Sequence, residues 1–259
     1  MAHDPPAPAV APPVLLSGKT VLVTGAARRV GATIARVLHA AGANLVLHYR
    51  SSADDAAALA QQLNAARAGS ASLAECDLLE VARLPALVKA AADAFGSLDV
   101  LVNNASTFYP TPVGDITEID WDDLVGTNLK APLFLAQAAA PLLHSARGLI
   151  INLADIHGFR PLRRYPVYCV AKAALMMLTK SLARELGPHV RVNAVAPGPV
   201  MWPEDGIDSA LRESITQRTA LKRPGSPEDV ARACLFFATE APYVTGQILA
   251  VDGGRSIGW

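Results

Sequence analysis

The residues whose types and spacing could carry out chemistry lie between Asp155 and Lys172. Tyr168 and Lys172 are four positions apart, so on a helix they lie one turn apart on the same face. Asp155 follows the apolar run 149–154, which predicts a buried strand. We therefore expect a strand end and a helix to bring a carboxylate, a phenol and an ammonium together. A tyrosine held beside a lysine is a candidate proton donor.

The elements that position these residues alternate between strand and helix. The run Thr20–Thr24, a glycine-bearing turn, the helical pattern Ala32–Ala41 and the run Asn44–Tyr49 predict a βαβ unit. The pattern continues with predicted strands at 70–75, 100–103, 149–153, 190–195 and 247–251, and predicted helices at 53–68, 81–95, from 121 to 137 and beyond, 166–186 and 228–239. This order predicts an α/β fold, a single Rossmann-type doubly wound parallel sheet with helices on both faces.

Composition excludes several classes of protein. The chain has 259 residues and balances 23 basic against 23 acidic side chains, so no global field attracts nucleic acid or an anionic membrane. Its three cysteines are scattered, which argues against a disulfide framework and a zinc site and favours a reducing cytoplasm. No apolar run approaches the roughly 20 residues of a membrane span. We expect a cytoplasmic protein without metal, nucleic-acid or membrane partners.

Residues 1–17 are rich in proline and alanine and lack a signal-peptide pattern, so they predict a disordered tail. Residues 18–259 are then one catalytic domain. Within it, three long irregular segments, 105–118, 155–165 and 196–217, follow predicted strands. Open α/β sheets bind ligands at the carboxyl ends of their strands. We expect these loops to form the pocket walls.

The turn from Gly25 to Gly31 presents backbone N–H groups at a helix N-terminus, which suits a pyrophosphate. Arg29 stands where a middle glycine is usual, so an ordinary strand-to-helix turn with solvated arginines fits this segment as well. The end of the second strand reads His48-Tyr49-Arg50-Ser51, without the carboxylate that would hold free ribose hydroxyls.

An arginine beside hydroxyls favours a phosphate, so Arg50 and Ser51 predict a preference for a 2′-phosphorylated dinucleotide, with additional help from Arg28. The alternative is a solvated strand end. Asp77 could accept a hydrogen bond from the adenine, and Asn103–Ala105 could approach the adenosine ribose. Either asparagine is also compatible with a simple turn.

A set of short motifs resembles the short-chain dehydrogenase/reductase family from Ser17 to the end of the chain. The motifs are Thr24-Gly25, Gly31, Asn103-Asn104-Ala105, Asn128, Tyr168-x-x-x-Lys172 and Pro197-Gly198. The resemblance implies that Tyr168 is the general acid/base, that Lys172 lowers its pKa and binds the nicotinamide ribose, and that Asn128 holds a water in a proton relay. A nearby cation does favour a phenolate.

The same resemblance implies NADPH as the cofactor and one set of residues around it. The implied set is Gly25, Arg28, Arg29, Val30, Gly31, His48, Tyr49, Arg50, Ser51, Asp77, Leu78, Asn104, Ala105, Tyr168, Lys172, Pro197 and Gly198. A homotetramer is the assembly that the family resemblance implies.

Asp155 departs from the usual family pattern, which has a serine thirteen residues before the tyrosine. An ionised carboxylate has no proton to give a substrate carbonyl, so ordinary ketone reduction is put in doubt. Asp155, together with the segments 25–31, 48–51 and 104–112, is similar to the pteridine reductase branch of the family. In that branch the aspartate partners the tyrosine and a phenylalanine stacks the pterin against the nicotinamide.

That likeness implies a substrate site made of Arg29, Ser106, Phe108, Asp155 and Tyr168, to which the loop residue Trp202 is added. A hydrophobic plug is the alternative role for Phe108. The sequence therefore predicts NADPH-dependent reduction of dihydropterins, with oxidised pterin or folates as further substrates. The alternatives are a reductase of another carbonyl or imine compound, such as a 3-oxoacyl thioester, and a non-catalytic NADP-binding regulator.

Overall fold

The computed structural model describes residues 15–202, 206 and 208–258. Most of the predicted disordered tail, residues 1–14, lies outside the described residues. Leu16 falls within the predicted tail but is buried, and its N–H donates to the Ala41 carbonyl at 2.8 Å. The packed domain therefore begins before the predicted boundary at residue 18, because Leu16 supplies an apolar side chain to the core.

Seven parallel strands form one sheet in the order β3-β2-β1-β4-β5-β6-β7. The strands are β1 (Thr20–Val23), β2 (Asn44–Tyr49), β3 (Ala71–Glu75), β4 (Val100–Asn103), β5 (Leu149–Leu153), β6 (Arg191–Pro197) and β7 (Ile248–Val251). The order reverses direction between β1 and β4, which creates a crevice at the carboxyl ends of these strands. The predicted doubly wound parallel sheet is confirmed.

The helices connect successive strands. They are α1 (Arg29–Ala40), α2 (Ala53–Ala66), α3 (Leu84–Phe95), α4 (Glu118–Val125), α5 (Ala131–Ala146), α6 (Pro166–Leu186), α7 (Ser209–Gln217) and α8 (Pro227–Thr239), with short 3₁₀ turns at Val81–Arg83 and Ile156–Gly158.

Two predictions about helices were wrong. The single helix expected from residue 121 is α4 and α5 joined by a π-helical turn, Gly126–Lys130. A capping box made by Thr117 and Asp120 starts α4 earlier than the apolar pattern suggests. The segment 196–217, expected to be irregular, contains α7.

The core lies on both faces of the sheet because successive strand residues point in opposite directions. Val21 and Val23 of β1 join one apolar cluster with residues of α1, α2 and α8, including Ile34 and Phe237. Leu22, between them, belongs to a second cluster with α3, α5 and α6. Central strands buried on both faces carry continuous apolar runs, which is what makes β4 and β5 recognisable in the sequence.

Among the described residues, none of the helices has the length and apolar character needed to cross a membrane. In the same part of the chain no cluster of three or more His, Cys, Asp or Glu side chains could hold a metal ion. Cys76, Cys169 and Cys234 are free and buried.

Candidate active site

A large cavity opens at the carboxyl ends of the strands, with a volume of about 1090 Å³. Single-ligand pockets are usually 300–1000 Å³, so this cavity has room for a cofactor and a substrate together. The three predicted loops supply its walls: residues 105–108, 155–157 with 162 and 165, and 197–202 all line it.

The catalytic candidates meet where β5 ends beside the first turn of α6. Pro166 begins α6, which places Tyr168 in its first turn. The Tyr168 hydroxyl donates a hydrogen bond to Asp155 Oδ2 at 2.8 Å. The other carboxylate oxygen, Oδ1, accepts from the His157 backbone N–H at 2.8 Å. The Asp155 carboxylate is thus fixed at both ends, with one oxygen aimed at the phenol.

The pKa of Tyr168 is raised well above its ordinary value, first by burial and then by the negative charge and hydrogen bond of Asp155. Burial and the Asp155 carboxylate therefore outweigh any lowering of this pKa by Lys172, whose Nζ lies 5.6 Å from the ring centroid. The phenol therefore keeps its proton at neutral pH and can donate it.

Lys172 is completely buried, and burial lowers its pKa to about 8 although the charge of Asp155 opposes that shift. Its Nζ donates to the Leu153 carbonyl at 2.8 Å, which fixes the side chain under the cavity floor. At neutral pH the amine is still mostly protonated. Lys172 lines the cavity with Tyr168, as predicted from their four-residue spacing.

Asn128 lies in the π-helical turn and is buried. Its Nδ2 donates to the carbonyls of Leu124 and Thr107, both at 2.9 Å, and its Oδ1 accepts from the Ser106 hydroxyl at 2.6 Å. The amide thus holds Ser106 in place. A hydrogen bond from Ser106 to Tyr168 lowers the phenol pKa, against the larger effects of burial and Asp155.

One serine proton can serve Asn128 or Tyr168 at a time. Here the serine proton goes to Asn128 and the Tyr168 proton to Asp155, so Ser106 and Tyr168 lie side by side between these two partners. The predicted role of Asn128 in holding a water stays a prediction.

Phe108 is half exposed and turns toward the cavity. Its ring stacks on Tyr165 with centroids 4.5 Å apart and meets Tyr168 edge-on at 4.8 Å. A plug would be buried, so the exposed fraction of 50% favours a ring that offers a surface to a ligand. Tyr165 was not predicted to be a site residue. The signal that could have identified it is its position at the start of α6, one helical turn before Cys169.

At the other end of the cavity, two glycines shape the turn between β1 and α1. Gly25 has a φ of 61°, and a Cβ on Gly31 would lie 2.2 Å from the Gly25 carbonyl oxygen. Arg28 precedes α1 without a side-chain cap, so the N–H groups of the first turn have no cap there. Residues 28–31 line the cavity, so these N–H groups are accessible to an anion; their contact with a pyrophosphate stays a prediction.

The two asparagines expected near the ribose both form hydrogen bonds within the protein. Asn104 Nδ2 donates to the carbonyls of Thr24 at 2.8 Å and Gly25 at 3.0 Å, so it braces the turn while lining the cavity. Asn103 is buried and donates to Asn152 Oδ1 at 2.8 Å. Asn104 thus lies in the cavity lining and Asn103 outside it, and contact of Asn104 with the ribose stays a prediction.

His48 also supports the turn. Its Nδ1 accepts from the Gly25 N–H at 3.1 Å and its Nε2 donates to the Cys76 carbonyl at 3.0 Å. Burial lowers the His48 pKa to about 4, more than the Cys76 carbonyl and the Asp77 charge raise it. The imidazole is therefore neutral, and it ties β2 to the glycine turn and to the end of β3.

The three arginines near the turn have different surroundings. Arg28 Nε lies 3.6 Å from an Asp55 carboxylate oxygen, so its predicted help with a phosphate competes with an ion pair. Arg29 has a φ of 55° and its Nη2 donates to the Trp202 carbonyl at 3.2 Å. Arg50 is exposed, lines the cavity beside Ser51, and forms no ion pair with any described residue.

The remaining predicted residues also lie around the cavity. A Cβ on Gly198 would lie 2.6 Å from Asp252 Cβ, so only glycine fits where β6 passes the chain after β7. Trp202 lies under the Arg212 guanidinium, 5.2 Å from its ring centroid. The other members of this group that line the cavity are Ala105, Val30, Tyr49, Asp77, Leu78 and Pro197.

Sequence reasoning missed the wall contributed by α7. Leu211, Ser214, Ile215 and Arg218 line the cavity at spacings of three and four, the pattern of one helix face. Asp208 caps α7 by accepting from the Leu211 N–H at 3.1 Å. This capping residue before a helical pattern was the signal that could have identified the element. Arg255, after β7, was missed as well.

Comparisons with known proteins agree with this architecture. The family model described as enoyl-(acyl carrier protein) reductase matches residues 25–256. Pteridine reductase 1 of Leishmania tarentolae is 39% identical, over 91% of this chain and 96% of its own length. The 3-oxoacyl-[acyl-carrier-protein] reductase FabG of Staphylococcus aureus (strain Mu50 / ATCC 700699) is 36% identical, over 91% of this chain and 97% of its own.

The solved structure of a blue fluorescent protein from a metagenomic library, in complex with NADPH, is 35% identical. It superposes with a TM-score of 0.87 and covers 93% of this chain and 99% of its own. The sheet order, the Tyr168-Lys172 pair and these matches define an oxidoreductase fold and site. The chain belongs to the short-chain dehydrogenase/reductase family. Within the family, relatives named for pterin and for 3-oxoacyl substrates are about equally similar to it.

Proposed function

We propose that this protein is an NADPH-dependent pteridine reductase that converts dihydropterins to tetrahydropterins. The observation that carries the proposal is the hydrogen bond from Tyr168 to Asp155. A serine at position 155 would offer a hydroxyl proton to a substrate carbonyl, whereas a carboxylate can only accept. A pterin presents N–H groups that a carboxylate can bind.

NADPH is the cofactor of this site. The uncapped start of α1 and the turn Gly25–Gly31 suit its pyrophosphate, and exposed Arg50 with Ser51 suits the 2′-phosphate. Lys172, whose Nζ donates to the Leu153 carbonyl and which lines the cavity, would hold the nicotinamide ribose. Bound NADPH supplies hydride to the substrate carbon.

The proton comes from this chain's own residues. Reduction of a pterin C=N bond adds hydride at carbon and a proton at nitrogen. Tyr168 is protonated at neutral pH, so its hydroxyl has a proton to give to the ring nitrogen. Asp155 orients the phenol before transfer. Ser106, held by Asn128, lies beside the phenol.

The position of the Phe108 ring favours a planar substrate. Its ring is already oriented by Tyr165 and Tyr168, which contact one face and one edge. Offset stacking of a planar heterocycle against such a ring contributes about 1 kcal/mol beyond burial. We expect the pterin to lie between Phe108 and the nicotinamide.

A second candidate is reduction of a 3-oxoacyl thioester. The similarity to FabG favours it, since its identity of 36% is close to that of the pteridine reductase. Asp155 argues against it, because the carboxylate next to the phenol cannot donate to a ketone oxygen. The non-catalytic alternative conflicts with the intact Tyr168, Lys172 and Asn128.

The variant Asp155→Ser distinguishes the two substrates. We expect wild-type enzyme to oxidise NADPH with dihydrobiopterin and to be slow with acetoacetyl thioester. In Asp155→Ser the rate with dihydrobiopterin should fall about 100-fold, the low end of a general acid/base contribution. The rate with acetoacetyl thioester should stay equal or rise. Steady-state NADPH absorbance measures both.

Asp115→Ser, at an exposed loop carboxylate outside the cavity lining, is the matched control and should leave both rates unchanged. Wild-type turnover of the thioester without any turnover of pterins would overturn the proposal.

We further propose a homotetramer. Helices α4 and α6 expose apolar side chains that a second copy would cover: Ile119, Trp121, Val170 and Met177. Light scattering should give four times the chain mass, and Met177→Glu should reduce it. A wild-type monomer would contradict this assembly.

The free cysteine thiols at 76, 169 and 234 fit a reducing compartment, so we propose a cytoplasmic location. Immunoblotting of cell fractions tests it, and recovery in an extracytoplasmic fraction would contradict it.

A further inference from the structure

The cavity wall formed after β7 and at the end of α7 contains two arginines that the proposed chemistry does not use, Arg218 and Arg255. Arg218 is exposed, and Arg255 is partly buried. Both line the same cavity as Asp155 and Tyr168. We call these two residues the arginine pair.

A tight turn after β7 places Arg255 at the cavity. Asp252 accepts hydrogen bonds from the backbone N–H groups of Gly254 at 2.8 Å and Ser256 at 2.7 Å. Gly254 has a φ of 79°, and a Cβ there would lie 2.7 Å from Ala220 Cβ. The tight turn therefore requires glycine. Arg255 Nη1 donates to the Ile215 carbonyl at 3.2 Å, which orients the guanidinium against α7.

The charges of the arginine pair act on each other. The pKa of Arg255 is lowered, first by burial and then by the positive charge of Arg218, while the charge of Asp252 opposes this. The carboxylate of Asp252 is taken up by backbone N–H groups. No described residue forms an ion pair with either arginine. Two neighbouring guanidinium groups facing a cavity are a site for an oxyanion.

The arginine pair lies far across the sheet from Arg50, the residue proposed to bind the 2′-phosphate. Arg50 follows β2 and Arg255 follows β7, five strands away in the sheet. At about 4.8 Å between neighbouring strands this is roughly 24 Å. Asp155 follows β5, only two strands from β7, which is roughly 10 Å. The arginine pair is therefore within reach of a side chain on a substrate bound at Asp155.

We propose that the arginine pair binds an oxyanion on the C6 side chain of the pterin, so that the enzyme prefers pterins with a charged tail. This rests on the proposed pterin reductase function. Carboxylates, as in a folate, and phosphate esters share the chemistry that guanidinium groups bind. The site favours carboxylates, since a tail carrying two of them matches two separate guanidinium groups.

Steady-state kinetics of Arg218→Gln, Arg255→Gln and the double variant test the proposal with three substrates. They are dihydrofolate, dihydroneopterin monophosphate and dihydrobiopterin, whose tails carry carboxylates, a phosphate and no charge. For dihydrofolate we expect each single variant to raise KM about tenfold and the double variant more, with kcat within twofold. For dihydrobiopterin kcat/KM should stay within twofold. A larger effect with the phosphate ester than with dihydrofolate would reassign the tail to phosphate.

Arg232→Gln, at an exposed arginine of α8 outside the cavity lining, is the matched control. Calorimetric titration of folate into the complex with NADP⁺ adds a readout independent of turnover, and its Kd should rise about tenfold in each single variant. Equal losses with charged and uncharged tails, or an unchanged folate Kd, would overturn the arginine-pair site while leaving pterin reduction intact. Absence of turnover with all three pterins would instead overturn the proposed function, and the folate titration would still decide whether the pair binds an anion.

Discussion

At the β2 end of the cavity the Arg50 guanidinium is exposed, whereas at the β5 end the Tyr168 phenol and the Lys172 ammonium are buried and held by hydrogen bonds. An exposed cation can bind an anionic group without first breaking an internal contact. Buried groups instead have shifted pKa values, because desolvation and close neighbours act on them strongly. This difference fits the proposed roles, with cofactor selection in the first region and proton transfer in the second.

The largest effect should come from the buried region. We expect Tyr168→Phe to lower kcat with dihydrobiopterin by about 10² to 10⁴, the usual range for a general acid, because the ring stays but the proton is lost. NADPH affinity, measured by fluorescence titration, should change less than about twofold, since Arg50 and the glycine turn are untouched.

Tyr165→Phe is the control for this substitution, since it keeps the ring that stacks on Phe108 and removes only a hydroxyl. It should retain activity within a few fold. If Tyr168→Phe were as active as the wild type, proton transfer would have to be assigned to another group, and the division between the two regions would fail.

His48 differs from Arg50 at the same end of the cavity, because it is a buried titratable group. Its pKa is about 4 in the folded protein and 6.5 when unfolded. Between these values the unfolded chain binds a proton and the folded chain does not. Stability is therefore unaffected above pH 6.5, falls as the pH drops from 6.5 to 4, and is level below that. The loss is about 3 kcal/mol, at about 1.4 kcal/mol per pKa unit.

Urea unfolding of wild type and His48→Gln at pH 7 and pH 4 measures this contribution. Glutamine can still accept from the Gly25 N–H and donate to the Cys76 carbonyl, but it does not titrate. The wild type should lose about 3 kcal/mol more than the variant between the two pH values. An equal loss in both proteins would show that His48 titrates normally and does not hold the turn as a neutral ring.

The accuracy of the sequence-based predictions also differs from one part of the molecule to another. The bounds of β4, β5 and α6 were predicted as observed, because β4 and β5 are strongly apolar runs and α6 is long and begins at a proline. The spacing of Asp155, Tyr168 and Lys172 predicted their meeting. It did not predict the direction of the Tyr168 pKa shift, since that depends on burial and on distances that no spacing gives.

The features that the sequence did not reveal depend on long-range contacts or on competing local signals. Arg255 reaches the cavity through a turn fixed by Gly254 against Ala220, residues 34 positions apart along the chain, which no local pattern reveals. Asn104 faces backbone carbonyls because β1 and β4 are neighbours in the sheet. Helix α7 is short, and its polar face and cap were outweighed by the glycine and prolines around it.

The smallest of these effects concerns the exposed region and tests its role most directly. Arg50→Ala should weaken NADPH binding about 10- to 100-fold, since a hydrogen bond to a charged group contributes about 1.5–3 kcal/mol. NADH, which lacks the 2′-phosphate, should bind within about twofold of wild type. Arg28→Ala should weaken NADPH binding less, because its guanidinium pairs with Asp55.

Equal losses for NADPH and NADH in Arg50→Ala would refute the phosphate assignment. A loss in Arg28→Ala as large as in Arg50→Ala would mean that the ion pair opens for the phosphate, and the selecting cation at this end would then be a pair rather than Arg50 alone.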